Sequence, residues 1–296
     1  MPHRTKGEKV FNVFNHIFMV VICMLCLLPL INVLAVSFSS MEAASTGKVT
    51  LIPVGFNTTA YQHIMKQDLF LRTFFNSFKR VLIGVPLNML LTVMSAYALS
   101  KSRSQLAFRQ FYVWFFVVTM LVSGGLIPTY ITINNLGLIN SFWALILPTA
   151  VPVYNIILMV NFFKNVPIEL EEAARIDGAG TWRVLWQIFV PCSLPAIATL
   201  TLFCVVTHWN EWFSGQIYLN RVEDFPLQSY LQVLLNQTKD TNMQSLTIKE
   251  MEELSKINTR TYNAAQIVLS TLPVLIVYPF LQKYFVTGLT LGGVKG

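Results

Sequence analysis

Residues 169–191 read ELEEAARIDGAGTWRVLWQIFVP. Glu169, Glu171, Glu172, Arg175 and Asp177 crowd its first half, yet the chain around them is 54% hydrophobic and only 12% charged. The stretch is too polar to lie in hydrocarbon and too short to stand as a soluble domain, so its flanks decide the fold. The apolar runs on either side, Phe142–Phe163 and Ile188–Trp209, each match the roughly 20 residues an α-helix needs to cross a bilayer.

Four further runs have that length: Ile17–Phe38, Val81–Leu99, Phe111–Ile133 and Ala264–Phe285. A soluble domain carries about 25% charged residues. Half that share and a mean hydropathy of +0.56 over 296 residues predict an all-α polytopic membrane protein with six transmembrane helices. The first run follows a basic tail and lacks a small-residue cleavage site, which predicts a retained span and not a signal peptide. A net charge of +7 would suit nucleic acid in a soluble chain, but no block of five Lys and Arg occurs, so nucleic acid is not an expected partner. Cys23, Cys26, Cys192 and Cys204 lie in or beside apolar runs, where thiols behave as small hydrophobes. His16, His63 and His208 are scattered. No metal site and no catalytic constellation is expected.

Prolines and amides interrupt the runs: Pro29 and Asn32, Pro86 and Asn88, Pro128, Pro148 with Pro152 and Asn155, Pro195, then Pro273 and Pro279. Membranes tolerate them where neighbouring helices or a water-filled cavity satisfy the freed backbone groups, which predicts a transporter bundle. The connection SKSRSQLAFRQ at 100–110 carries Lys101, Arg103 and Arg109 without an acid, and the tail carries Arg4, Lys6 and Lys9 against Glu8. The positive-inside rule puts both in the cytoplasm, together with both termini. Ser39–Arg80 and Gly215–Tyr262 then lie outside, the second with a helical run in SLTIKEMEELSKI at 245–257.

The charged stretch falls between the fourth and fifth spans, on the cytoplasmic side. Pro167 suits a first turn, the glutamates favour the positive N-terminal end, and Ala173 and Ala174 are strong helix formers. Gly178 and Gly180 end the helix, and Glu171 lies one turn from Arg175. An amphipathic helix lying on headgroups would be rich in Lys and Arg with large apolar anchors; this one is acidic with small residues.

Glu172, Ala173 and Ala174, three residues, Gly178, nine residues and then Ile188–Pro191 together resemble the EAA signature of the inner-membrane permease subunits of ATP-binding cassette importers. Val190 stands where leucine is usual. NFFKNVPIELEEAARIDGAGTW, GLINSFWALILP, FPLQSYL, LPVLIVYPFLQKYFVTG and the closing GGVKG resemble the carbohydrate branch that imports multiple sugars and oligosaccharides, with its MetI-like transmembrane domain. The resemblance implies the type I importer permease fold. Residues 72–296 form the MetI-like core of five transmembrane helices, with a coupling helix at about 167–180 and an outer loop at about 215–262; residues 1–71 supply the tail, the first transmembrane helix and an outer segment.

It further implies that Glu171, Glu172, Ala173, Ala174, Arg175, Asp177 and Gly178 couple the chain to a cytoplasmic ATPase, with Glu172, Ala173, Ala174, Asp177 and Gly178 forming the surface that docks in its groove. The expected partners are a second, homologous permease in a heterodimer, two ATPase subunits, an extracytoplasmic solute-binding protein and an oligosaccharide, in a bacterial cytoplasmic membrane. The chain has no GxxxxGK[ST] phosphate loop, so it is not expected to be an enzyme or to carry a cofactor; ATP and Mg belong to the partner ATPases.

The fifth run ends in THWNEWFSG. An unpaired carboxylate is costly in hydrocarbon, so Glu211 with His208, Trp209, Asn210 and Trp212 reads as an outer gate or translocation path, or as an interfacial aromatic belt. Asn88 and Asn155 read as path residues or as glue between helices. The outer loop meets the binding protein or is a solvated connection. A permease for another solute class remains the alternative. An ion-coupled carrier would need intramembrane acid and histidine relays beyond Glu211 and His208, and a membrane enzyme would need a paired-carboxylate, nucleophile or metal set that is absent from the spans.

Overall fold

The computed structural model describes residues 6–237 and 259–292, all helix and connection with no strand among them. In chain order the helices are α1 (Lys6–Ser37), α2 (Met41–Ser45), α3 (Thr59–Lys66), α4 (Asp68–Ser100), α5 (Arg109–Leu121), α6 (Leu126–Asn135), α7 (Val153–Lys164), α8 (Ile168–Ile176), α9 (Thr181–Val184), α10 (Val190–Cys192), α11 (Leu194–Asn210), α12 (Phe213–Tyr218), α13 (Leu227–Gln237) and α14 (Thr259–Gly292). Two 3-10 turns, Phe142–Leu145 and Leu147–Thr149, precede α7, and a third, Val222–Asp224, precedes α13. The helical run expected at 245–257 lies outside the described residues.

Three stretches are long and apolar enough to cross a membrane unbroken: Val10–Ser37, Asp68–Ser100 and Arg260–Pro279. The count reaches six if each bent pair is one span: α5 with α6 at 113°, Phe142–Thr149 with α7 at 46°, and Thr181–Cys192 with α11 at 84°. The second span begins well before the expected Val81, because Asp68 opens a helix that runs through the connection without a stop.

Proline does not by itself set the breaks. Pro29, Pro86, Pro273 and Pro279 all sit inside continuous helices, where a lone proline removes one backbone bond and the rest of the ladder holds. The third span breaks ahead of Pro128, at 122–125, where Gly125 has φ +87°. The fourth and fifth break where prolines bracket the bend, Pro148 with Pro152 and Pro191 with Pro195.

The chain divides into two compact units. One comprises 1–70 and 234–272, the other 71–233 and 273–296. In the first, Ala35, Val36, Ala43, Ala44, Val49 and Ala264 form a small core; Tyr61 donates to Ser37 at 2.7 Å, and Tyr262 to Gln67 at 2.6 Å. In the second, Val93, Ala96, Tyr97 and Leu99 of α4 pack with Ile156, Met159, Val160 and Phe163 of α7, Val184, Leu185 and Phe189 from the stretch after α8, and Ala196 and Leu200 of α11. The charged stretch closes one end of that core.

Candidate functional site

The site is built on α8. Ile168–Ile176 is helical, and its end is a Schellman closure: Ala179 N–H reaches the Ala174 carbonyl at 2.8 Å and Gly178 N–H the Arg175 carbonyl at 3.1 Å. Gly178, at φ +78°, occupies the left-handed position that this closure reserves for glycine. Ala174 and Ala179, the two residues bracketing the closure, pack on the core of the second unit. The chain then enters α9 and a π-helical turn, Leu185–Phe189, in which Val190 N–H bonds back to the Leu185 carbonyl. Pro191 follows, and the wider turn accommodates the residue that could not continue a regular ladder.

One glutamate of the motif points inward. Glu171 is 6% exposed and accepts from Lys101 Nζ at 2.6 Å and from Arg175 at 2.8 and 3.1 Å. The Lys101 ammonium lies 4.0 Å from the Tyr97 ring centroid and 4.3 Å from that of Phe189. Those two rings meet edge to face at 5.0 Å, and Phe163 closes on Phe189 at 5.5 Å. Burial works against the charge on Glu171, but hydrogen bonds from Lys101 and Arg175 outweigh it and hold its carboxyl below the ordinary carboxylate value.

The remaining expected coupling residues divide by face. Glu172, Ala173, Arg175, Asp177 and Gly178 are exposed, Ala174 is half-buried and Glu171 is buried. Exposed beside the polar ones are Ile168, Leu170, Trp182 and Ile176, the last 86% exposed. Sequence reasoning missed this apolar component and missed Lys101, which it used only as a marker of topology. The available signal was that a short, otherwise basic connection faced the one acidic helix.

The residues considered for a translocation path are tied inside the second unit. Arg80, 1% exposed, pairs with the Glu211 carboxylate at 2.8 Å and donates to the carbonyls of Glu211 at 3.1 Å and Leu145 at 2.9 Å. Glu211 also accepts from the Ser214 N–H at 2.9 Å and from its hydroxyl. Two turns along α4, Asn88 donates to the Thr149 carbonyl at 3.0 Å and meets His208 at 3.2 Å. Asn155 donates to Cys204 at 3.3 Å. Trp209 is buried, edge-on to Phe74 at 5.8 Å; Trp212 lends its carbonyl to Ser229 at 2.6 Å, and Asn210 is exposed.

Glu211 is therefore not the lone carboxylate that the sequence suggested: its partner Arg80 directly precedes the apolar run at Val81. Asn88 ties α4 to the turn before α7 and to α11, and Asn155 ties α7 to α11. No group of His, Cys, Asp and Glu among the described residues could hold a metal ion.

Residues 53–291 match the family described as binding-protein-dependent transport system inner membrane component. The polygalacturonan/rhamnogalacturonan transport system permease protein YtcP of Bacillus subtilis (strain 168) is 40% identical over 97% of this chain and 99% of its own length. The maltodextrin transport system permease protein MalD of Streptococcus pneumoniae (strain ATCC BAA-255 / R6) is 28% identical over 86% of this chain and 88% of its own. A chain in the crystal structure of a bacterial ABC transporter involved in the import of the acidic polysaccharide alginate superposes with a TM-score of 0.87 at 32% identity, covering 96% of this chain and all of that one.

Proposed function

The chain belongs to the family of binding-protein-dependent transport system inner membrane components, and from that premise we propose that it is one of two homologous permease subunits of an ATP-driven oligosaccharide importer. The observation that carries the reading is the two-sided α8: Glu172, Ala173, Ile176 and Asp177 face outward while Glu171 is tied into the bundle. A helix so arranged offers a docking face to a partner and transmits what the partner does to it. The partners are two ATPase subunits, which hold ATP and Mg, and their closure pushes α8 and rocks the spans between inward-facing and outward-facing states.

The same pair supports an orientation. The Lys101–Glu171 bond of 2.6 Å places the connection after α4 and the α8 connection at one end of the bundle. The basic residues Lys101, Arg103 and Arg109 favour the cytoplasm for that end, with both termini there and the 215–262 loop opposite, toward the binding protein.

The cargo is an oligosaccharide bearing uronates. Polygalacturonan and alginate are uronate polymers, and the relatives named for them share 40% and 32% identity with this chain along nearly all of it. The maltodextrin relative, at 28%, keeps neutral glucans as the second reading. The deciding experiment reconstitutes the importer with its partner permease, ATPases and binding protein, and measures ATPase stimulation and uptake with oligogalacturonates, oligoalginates and maltodextrins. Stimulation by uronate oligosaccharides supports the proposal. Stimulation by maltodextrins alone overturns the cargo, and stimulation only by an amino acid or a metal overturns the sugar assignment.

A further inference from the structure

We infer that Lys101 is a positioning residue for coupling, the rivet that joins α8 to α4 and to the π-helical turn at the start of the fifth span. The inference rests on the permease reading above.

Three observations converge on this side chain. Its ammonium is ion-paired at 2.6 Å with a glutamate that is itself buried, its faces are covered by the rings of Tyr97 on α4 and Phe189 in the π-helical turn, and Glu171 is held on its other oxygen by Arg175. One charge thus touches three elements: its own connection to α4, the docking helix, and the entry to the fifth span.

The chemistry suits a joint that must carry displacement. At the inner face and the closing turn of α8, Ala174 and Ala179 pack on the core, and such small side chains resist sliding weakly. A half-buried ion pair boxed by aromatic faces is directional, and cation–π contact strengthens as water is excluded. If α8 moved without α4, the Lys101 charge would leave its carboxylate while staying boxed by the rings of Tyr97 and Phe189, a buried charge without its counter-ion, so the elements travel together. Glu171 therefore serves the inner side of α8, and the docking face is left to Glu172, Ala173, Ile176 and Asp177.

The test uses the complete reconstituted importer and reads sugar transported per ATP hydrolysed. Lys101→Met keeps the aliphatic stem and removes the charge; it should leave copurification of the ATPases and basal hydrolysis intact while sugar moved per ATP falls by roughly threefold to thirtyfold, the range for residues that transmit coupling. Lys101→Arg, which retains charge and stacks on aromatic rings, should recover most of the ratio. An unchanged ratio in Lys101→Met overturns the inference. If that variant does not assemble, Glu171→Gln, which keeps an acceptor but loses the charge, carries the same test; a normal ratio there overturns the inference too. Failure of the underlying reading looks different, because the unsubstituted importer would then show no ATP-dependent sugar uptake.

Discussion

Removing Glu211 should harm the protein more than removing the arginine it pairs with. Arg80 is 1% exposed, and without the Glu211 carboxylate its charge would retain only the carbonyls of Glu211 and Leu145. Breaking a buried pair from one side costs about 3–5 kcal/mol. The Glu211 side chain is 27% exposed, so water offsets part of this and about 2–3 kcal/mol is expected for Glu211→Ala. Arg80→Met removes the buried charge itself and leaves Glu211 with Ser214 and solvent, at about 1–2 kcal/mol. The double variant should lie near Arg80→Met, so the cycle is non-additive by about 2–3 kcal/mol, the whole cost of Glu211→Ala. Thermal unfolding of the four proteins in lipid nanodiscs measures the cycle. If Arg80→Met costs more than Glu211→Ala, or the two add within about 0.5 kcal/mol, the buried-charge reasoning is wrong.

Three more expectations follow from α8 and α4. Gly178→Val forces a branched residue to φ +78° at about 1–3 kcal/mol, and should abolish sugar transport while hydrolysis and membrane insertion persist; normal uptake by vesicles contradicts this. Gly84→Ala places a methyl 2.7 Å from the His208 ring, so overpacking of about 1–3 kcal/mol should exceed the gain of about 1 kcal/mol in helix propensity; a raised melting temperature would show that His208 yields. The Glu171 carboxyl titrates below its ordinary 4.5, so its stabilisation is complete above the unfolded value and lost as pH falls through the folded one. Protection of the α8 amides, taken relative to their intrinsic exchange at each pH, should hold from neutrality to 4.5 and fall only beneath it; loss of protection above that value counts against the ion pair.

What the sequence disclosed was local, and what it hid was distant. Apolar runs and the Gly178 stop are written in consecutive residues, so the spans and the end of α8 were legible. Lys101 finds Glu171 across 70 positions, and Arg80 finds the Glu211 carbonyl across 131; no window read along the chain contains either pair. Periodicity did not decide which face of a nine-residue helix turns inward, so the burial of Glu171 was not legible. The bend at 122–125 went unread because proline is the conspicuous breaker in sequence, whereas a glycine with positive φ, here Gly125, turns the chain without losing a hydrogen-bond donor.

Three polar ties of the second unit share a single spine. Arg80, Asn88 and Lys101 all project from α4 or its end, and tie it successively to the Leu145 carbonyl and Glu211, to the Thr149 carbonyl and His208, and to α8. In lipid the hydrophobic effect does little to hold one helix against another, so packing and such hydrogen bonds set their register. Sliding α11 along α4 by one turn would separate both Arg80 from Glu211 and Asn88 from His208, leaving buried polar groups without partners at once. On the proposed coupling role, a push received at α8 should pass through Lys101 to α4, the turns before α7 and α11 as one body. Alternating access is then expected to rotate that body, with the polar ties within it keeping the same partners.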